Sequence, residues 1–507
     1  MRQVCNLMAL IFLVTSSNLE GGARPHQEAI EDPAPPVVAE LEPMEAPVAR
    51  PYPELRFIES PIALSKGAVT EDWPCFMGLQ HSGHSRETKL RKTFDTGEPQ
   101  LVWAMQSGLG FACPVIANGK LIYTHRVGNE THVDCLDPET GQRYWRYSYP
   151  CEYKDRYISN NGPRSTPIID GDRVYTHGVA GRLHCLDLAT GRVIWQRDLA
   201  KEYHIPQDFF GVVASPIIHG DLLIQNIGAP PPPPEPGGPS VAAFDKRTGQ
   251  LVWGAGSEWG PSCASPIIAT VHGRDRLFVI AGGDSRPPVG GLMVMDPKTG
   301  KVDFAYPFRS RAQISVLGAS PIVGDGRVFI TASYNTGTAG LALHSDGGFT
   351  ELWKTRRVGM QFSNPIYVDG HLYAIDGHSD RVGSIICFAP GSGEVLSRTD
   401  LTWEEVLFYR GEENMQPLSI GEGSLLHVDG ATMCLGDNGH LLWLEMKPEG
   451  TRVISRVSLF RANESWTPPV LSRGLLYVRQ NTKERFGQTP APPRLMCFDL
   501  RDSELTE

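Results

Sequence analysis

The chain lacks an apolar stretch approaching the ~18–20 residues that a helical membrane span needs. It also lacks a surplus of cations. Lys plus Arg number 47 against 57 for Asp plus Glu, a net charge of −10, and no basic run occurs anywhere. That balance argues against duplex nucleic acid as the main partner, because phosphate binding draws on clustered cations. No two cysteines are adjacent, and no G-x-S-x-G elbow offers a serine nucleophile. What the 507 residues do contain is glycine (53) and proline (41), with 41% hydrophobic residues. So much punctuation favours many short strands joined by turns, and the apolar fraction excludes wholesale disorder.

The N-terminus reads as an address. Arg2 precedes the unbroken apolar run Leu7–Val14, and small and polar residues follow from Thr15. This is the layout of a secretory signal peptide, expected over 1–23, and it places the protein in the periplasm or outside the cell. Residues 24–54 then hold eight Pro and seven acidic residues with few large apolar groups. Such a composition cannot offset its ordering entropy by burial, so 24–71 is expected to be a disordered tether ahead of a folded region, 72–507.

From there the chain repeats. A small or polar residue, a Pro, two apolar residues, a turn with Gly and a second apolar run recur as CPVIANGKLIY (113–123), TPIIDGDRVYT (166–176), SPIIHGDLLI (215–224) and SPIVGDGRVFI (320–330). The eight marker prolines are Pro114, Pro167, Pro216, Pro266, Pro321, Pro365, Pro417 and Pro468. Pro is tolerated at the start of a strand, and the Asn-Gly or Asp-Gly turn suits a hairpin. A second unit follows most of the first, as in CLDPETGQRYW (135–145) and CLDLATGRVIW (185–195). There Asp caps a turn, Gly takes a positive φ, and a last strand carries an aromatic residue. Two units make four antiparallel strands, and a period near fifty signifies propeller blades. The expected fold is all-β, an eight-bladed β-propeller. The last copy is one strand short, and LVW at 101–103 is an orphan strand, so the two ends are expected to share one blade and close the ring.

The Asp-x-x-Thr-Gly-x-x-x-Trp units resemble those of the pyrroloquinoline quinone (PQQ)-like β-propeller repeat family, which includes quinoprotein dehydrogenases and an outer-membrane assembly propeller. The opening DWPCFMGLQHSGHS (72–85) is similar to the start of many secreted propellers of that family. A dehydrogenase of this type implies PQQ, a Ca²⁺ held by oxygen ligands, a cation over the quinone and an aromatic floor. Arg164 is the expected cation, Trp259 or Trp466 the floor, and Asp208, Asp284, Asp376 and Asn226 the calcium oxygens. The adjacent cysteine pair of the alcohol-oxidising members is absent.

Propeller geometry puts the residues before each marker Pro, and those after each second strand, at one mouth. His125, His177, Asn226, Asp284, Asp376 and His378 are therefore expected to ring it. No catalytic or metal-binding constellation stands out from the residues themselves. The leading expectation is a non-catalytic binding or scaffold module without a cofactor, holding a protein or polysaccharide ligand at the mouth. The alternative is a PQQ- and calcium-dependent dehydrogenase of an alcohol or sugar. Cys135, Cys185, Cys387, Cys434 and Cys497 share one repeat position and are expected to fill space between sheets without pairing. A polyproline loop at 229–239 offers a rod that a partner's aromatic groove would recognise.

Overall fold

The computed structural model describes residues 32–94, 97–157, 160–205, 210–228, 238–256, 259–283, 287–312, 315–377, 382–409, 412–462, 464–484 and 491–502. The expected signal peptide and most of the polyproline loop lie outside the described residues. The fold is an eight-bladed β-propeller, and the one helix among the described residues is the four-residue Leu199–Glu202. Blade 1 shows the pattern: Val115–Ala117 innermost, then Lys120–Val127, Glu130–Leu136 and Arg143–Pro150, each antiparallel to the last. The inner strands of blades 2 to 6 are Ile168–Asp170, Ile217–His219, Ile267–Val271, Ile322–Gly324 and Ile366–Val368. Blade 8 is built from both ends of the chain. Val470–Ser472, Leu475–Gln480 and Arg494–Asp499 are completed by Gln100–Gln106, with Leu101 opposite Phe498 and Trp103 opposite Cys497.

The Asp-x-x-Thr-Gly units close each blade and also bind it to its neighbour. Asp137 Oδ1 accepts from Thr140 N and Thr140 Oγ1, both at 2.9 Å, and Gly141 takes φ +70°. A Cβ there would meet Trp103 of the preceding blade at 2.8 Å, and Trp103 Nε1 donates to Pro138 O of the same turn at 2.8 Å. Trp145 docks likewise on Gly191 and donates to Leu188 O. Trp103, Trp145, Trp195, Trp253 and Trp353 are thus pegs set in the next turn, and this explains why the turn requires glycine twice over. Hydrophobic clusters accordingly form between neighbouring sheets.

Blade 7 departs from the expected register. Its strands are Ser424–Val428, Ala431–Leu435, His440–Lys447 and Gly450–Ser458. Pro417 is no inner-strand marker: it lies in an added hairpin, Thr402–Tyr409 paired with Glu412–Ser419. Cys434 consequently stands in the second strand, whereas Cys135, Cys185, Cys387 and Cys497 stand in the third. All nine described cysteines are free thiols. Burial pushes the Cys135 thiol up to about 12, as expected of an inert filler.

The expected tether also differs from the structure from Asp32 onward. Asp32 pairs with Arg197 at 2.6 Å and accepts from Leu251 N, and Ala39 N donates to Ile194 O. Arg50 bridges Arg143, and Leu55–Phe57 adds a strand outside Gln100–Gln106. The segment therefore straps the outer edges of blades 3, 2, 1 and 8 in turn. Low hydrophobicity did not leave it free, because unfilled backbone groups on sheet edges supply its partners.

Candidate functional site

The inner strands run from the mouth to tight turns with a glycine, such as Asn118-Gly119 and Asp325-Gly326, at the far end, the base. Residues 71–90 cross that end. Trp73 exchanges both backbone hydrogen bonds with Ile116 of blade 1, and Pro74 O accepts from Ile169 N of blade 2. His84–Ser85 runs parallel to His427–Val428 of blade 7. The buried Glu87 carboxylate accepts from Arg473 N, from Gly474 N at 2.8 Å and from Glu71 N at 3.1 Å, which fastens blade 8. The opening motif is therefore a plug that closes the base of the channel.

Above the plug lies a cavity of about 110 Å³. Phe76, from the plug, is among its lining residues. Phe111, Phe210, Phe362 and Trp466 come from loops entering blades 1, 3, 6 and 8 and meet across the channel. Trp466 stacks on Phe111 at 5.6 Å and on Phe362 at 5.4 Å, while Phe362 meets Phe210 edge-on at 6.2 Å. Arg164 lines the same space within 5.7 Å of the Phe111 ring and 5.5 Å of the Phe210 ring. Its charge is met by Asp155, and Asn160 O accepts from it at 2.7 Å.

The polar wall consists of residues directly preceding the marker prolines: Cys113, Thr166, Ser215, Ser265 and Asn364. They also link blade to blade. Cys113 N donates to Thr166 Oγ1 at 3.2 Å, Thr166 N to Ser215 Oγ at 2.9 Å, and Ser215 N to Ser265 Oγ at 2.9 Å. Sequence reasoning passed over these residues as repeat framework. The signal was there: a small hydroxyl, thiol or amide residue recurs one place before the proline.

Two of the three expected cofactor residues, Arg164 and Trp466, do line the cavity. Trp259 does not; it packs at the junction of blades 3 and 4. The expected mouth polars are pins inside the blades. His125 Nδ1 accepts from Gly108 N at 2.9 Å, so Nε2 carries the proton to Asp134 at 3.0 Å, and burial holds the ring's pKa down. Burial raises the Asp134 carboxyl, but Arg146 and His125 outweigh it and hold it well below the usual range. His177 is buried, which pushes it down to about 4. Asn226 donates to Ile280 O of blade 4, and Asp376 pairs with Arg398 at 2.7 Å. Asp208, Asp284 and His378 lie outside the described residues.

A family profile described as outer membrane protein assembly factor BamB matches residues 95–229, 129–399 and 237–505. The chain belongs to this PQQ-like propeller family. Among curated relatives it is 32% identical over 147 residues to quinohemoprotein alcohol dehydrogenase ADH IIB of Pseudomonas putida, covering 28% of this chain and 19% of that one. It is 34% identical over 146 residues to the dehydrogenase subunit of the quinone-type alcohol dehydrogenase of Gluconobacter oxydans, covering 28% of this chain and 18% of that one. The chain thus spans about a fifth of the length of those relatives. Among solved structures, the PQQ-like propeller superposes on a europium-containing methanol dehydrogenase with a TM-score of 0.60 at 12% identity, covering 85% of this chain and 98% of the other. It also superposes on BamB from Moraxella catarrhalis with a TM-score of 0.51 at 15% identity, covering 79% and 100%. These two likenesses concern the fold.

The curated relatives overturn the leading expectation of a non-catalytic, cofactor-free scaffold, which rested on the weakness of any catalytic motif. They favour its alternative. The chemistry of the wall, stacked rings with a guanidinium beside them, suits the face of a flat quinone, and a volume of about 110 Å³ encloses only part of such a ring system. Calcium does not fit the described wall. It takes six to eight oxygens, usually with carboxylates among them, and no carboxylate among the described residues lines this cavity. No group of three His, Cys, Asp or Glu converges among the described residues.

Proposed function

We propose that this protein is a quinoprotein-type oxidoreductase that oxidises an alcohol at the mouth of the propeller, and that its signal peptide places it outside the cytoplasm. The observation that supports the reading most is the aromatic cavity, seen together with sequence matches to two quinone-dependent alcohol dehydrogenases. PQQ, when bound, accepts the electron pair and two protons that an alcohol loses in becoming an aldehyde. The chain's own residues do the rest. Trp466, Phe111 and Phe362 form the apolar surface on which a planar ring stacks, and they exclude water. Phe76 limits how deeply it sits. Arg164, held by Asp155 and Asn160, keeps a fixed positive edge beside the ring faces. No helix of the described residues is long and apolar enough to cross a membrane.

The test is reconstitution of the purified protein with PQQ, with and without calcium, followed by dye-linked oxidation of primary alcohols. Dye reduction that depends on both PQQ and alcohol is the expected outcome. Stoichiometric PQQ binding with no turnover of any alcohol or sugar overturns the proposal.

A further inference from the structure

Two hydroxyls of the cavity wall each accept one backbone N–H and keep their own hydrogen unspent. Ser215 Oγ accepts from Thr166 N and Ser265 Oγ from Ser215 N, each at 2.9 Å. Neither hydroxyl hydrogen has an acceptor among the described residues. Asn364 is set the same way: its Oδ1 accepts from Ser320 N at 2.6 Å, which orients the amide, and its Nδ2 hydrogens have no acceptor among the described residues. Thr166 Oγ1 takes the Cys113 N–H, and its hydroxyl is also partnered with the Cys113 thiol.

A second observation has the same sign. Arg479 is fully buried, and Cys113 feels its charge. Among the described residues its guanidinium donates to the neutral carbonyls of Ala112, Thr124 and Gly108, at 3.2 to 3.3 Å, and pairs with no carboxylate; it stands 4.9 Å over the Tyr123 ring. Burial lowers its pKa, yet a guanidinium remains charged in a protein. The cavity therefore combines unspent N–H and O–H hydrogens with an uncompensated cation behind the wall. A metal ion needs lone pairs aimed at it. This wall has hydrogens to give, a buried cation behind it and no carboxylate among its described residues, so it suits oxygen lone pairs and negative charge rather than a cation.

We propose that Ser215, Ser265 and Asn364 bind the oxygen-bearing, anionic edge of a planar aromatic carboxylate directly, with no calcium ion between protein and ligand. The aromatic stack takes the face of the ligand and the donor arc takes its edge. The arc rests on the reading of this cavity as the quinone site for the identity of its natural ligand, and on the donor inventory for the chemistry.

The experiment titrates the full chain with PQQ and, separately, with benzenetricarboxylate, read by tryptophan fluorescence and by equilibrium dialysis. Each titration is run in EDTA and again in millimolar calcium. The dissociation constants are expected to agree within about twofold between the two conditions. Asn364→Asp keeps the acceptor for Ser320 N while replacing the amide donors with negative charge, and it is expected to weaken both ligands about tenfold or more. Ser320→Ala, whose hydroxyl lies outside the cavity wall, is expected to change neither. PQQ binding that EDTA abolishes and calcium restores overturns the metal-free arc and leaves the dehydrogenase proposal standing. So does tighter calcium-dependent binding in Asn364→Asp. Binding of benzenetricarboxylate without PQQ supports the arc and removes the quinone as ligand. Binding of neither overturns the arc.

Discussion

The two ends of the channel are closed by different physics. At the base, residues 71–90 are stitched to blades 1, 2, 7 and 8 by backbone hydrogen bonds and the Glu87 carboxylate. At the mouth, four half-buried rings meet with no backbone bond between them, and stacked rings are individually worth only about 1 kcal/mol. The base is framework, whereas the mouth opens by moving side chains alone. The two ends also carry titratable groups of opposite response. His84 faces His427 at the base, with ring centroids 5.3 Å apart. Asp437 lies in a mouth-side loop of blade 7, where its Oδ2 accepts from Glu422 N.

The largest break in this contrast is Glu87→Ala. It strands three backbone N–H groups beneath the plug and is expected to cost about 3–5 kcal/mol in denaturant unfolding, with new protease cleavage near residues 71–90. A cost below about 1 kcal/mol would show that the plug is not framework. The next break is by acid. Burial first, then the charge of Glu464, pushes the Asp437 carboxyl from its ordinary 3.8 up to about 6. The folded state holds this proton more tightly than the unfolded chain. Stability from Asp437 is therefore full below about pH 4 and is lost, by about 2–3 kcal/mol, as pH rises to about 6. Asp437→Asn should remove that slope.

The base responds with the other sign. Burial, and then His427, pushes His84 from 6.5 down to about 4. Here the unfolded chain binds the proton first. Stability is full above about pH 6.5 and is lost, by about 2 kcal/mol, as pH falls towards 4. His84→Gln should flatten this limb of a pH–stability profile without touching the limb set by Asp437. The smallest effect is expected from Trp466→Ala, about 1 kcal/mol in stability. It should nonetheless raise the ligand association rate in stopped-flow mixing, because the central ring of the aromatic cluster is gone. An unchanged rate would mean that ligands enter elsewhere.

The ring, its count and its closure were legible because they are written in period and turn chemistry. Asp137, Thr140 and Gly141 do in space what their spacing says, and Leu101 does lie opposite Phe498. Blade 7 was misregistered because Pro417 imitates the marker while sitting in an added hairpin, and a local pattern cannot reveal which proline precedes an inner strand. The site was legible only in part. Arg164 and Trp466 are there, since loop position predicts the face of a propeller. His125 and Asp376 turn into the blades, because Asp134 and Arg398 hold them, and those partners lie across strands. Ser215, Ser265 and Asn364 were hidden by their regularity. A residue present in every repeat looks like scaffold until the repeats are seen to converge on one axis.

The strand Gln100–Gln106 carries a further consequence, for biosynthesis. Its partner, Arg494–Asp499, leaves the ribosome almost four hundred residues later, so through that stretch of synthesis the strand waits with one side unmatched. Leu55–Phe57, made earlier, already occupies the other side through Trp103 and Met105. That short pairing serves as a placeholder. It leaves a single vacant side, whose later occupant is the segment that seals the ring, and it denies a nascent neighbour one of the two places where it could attach.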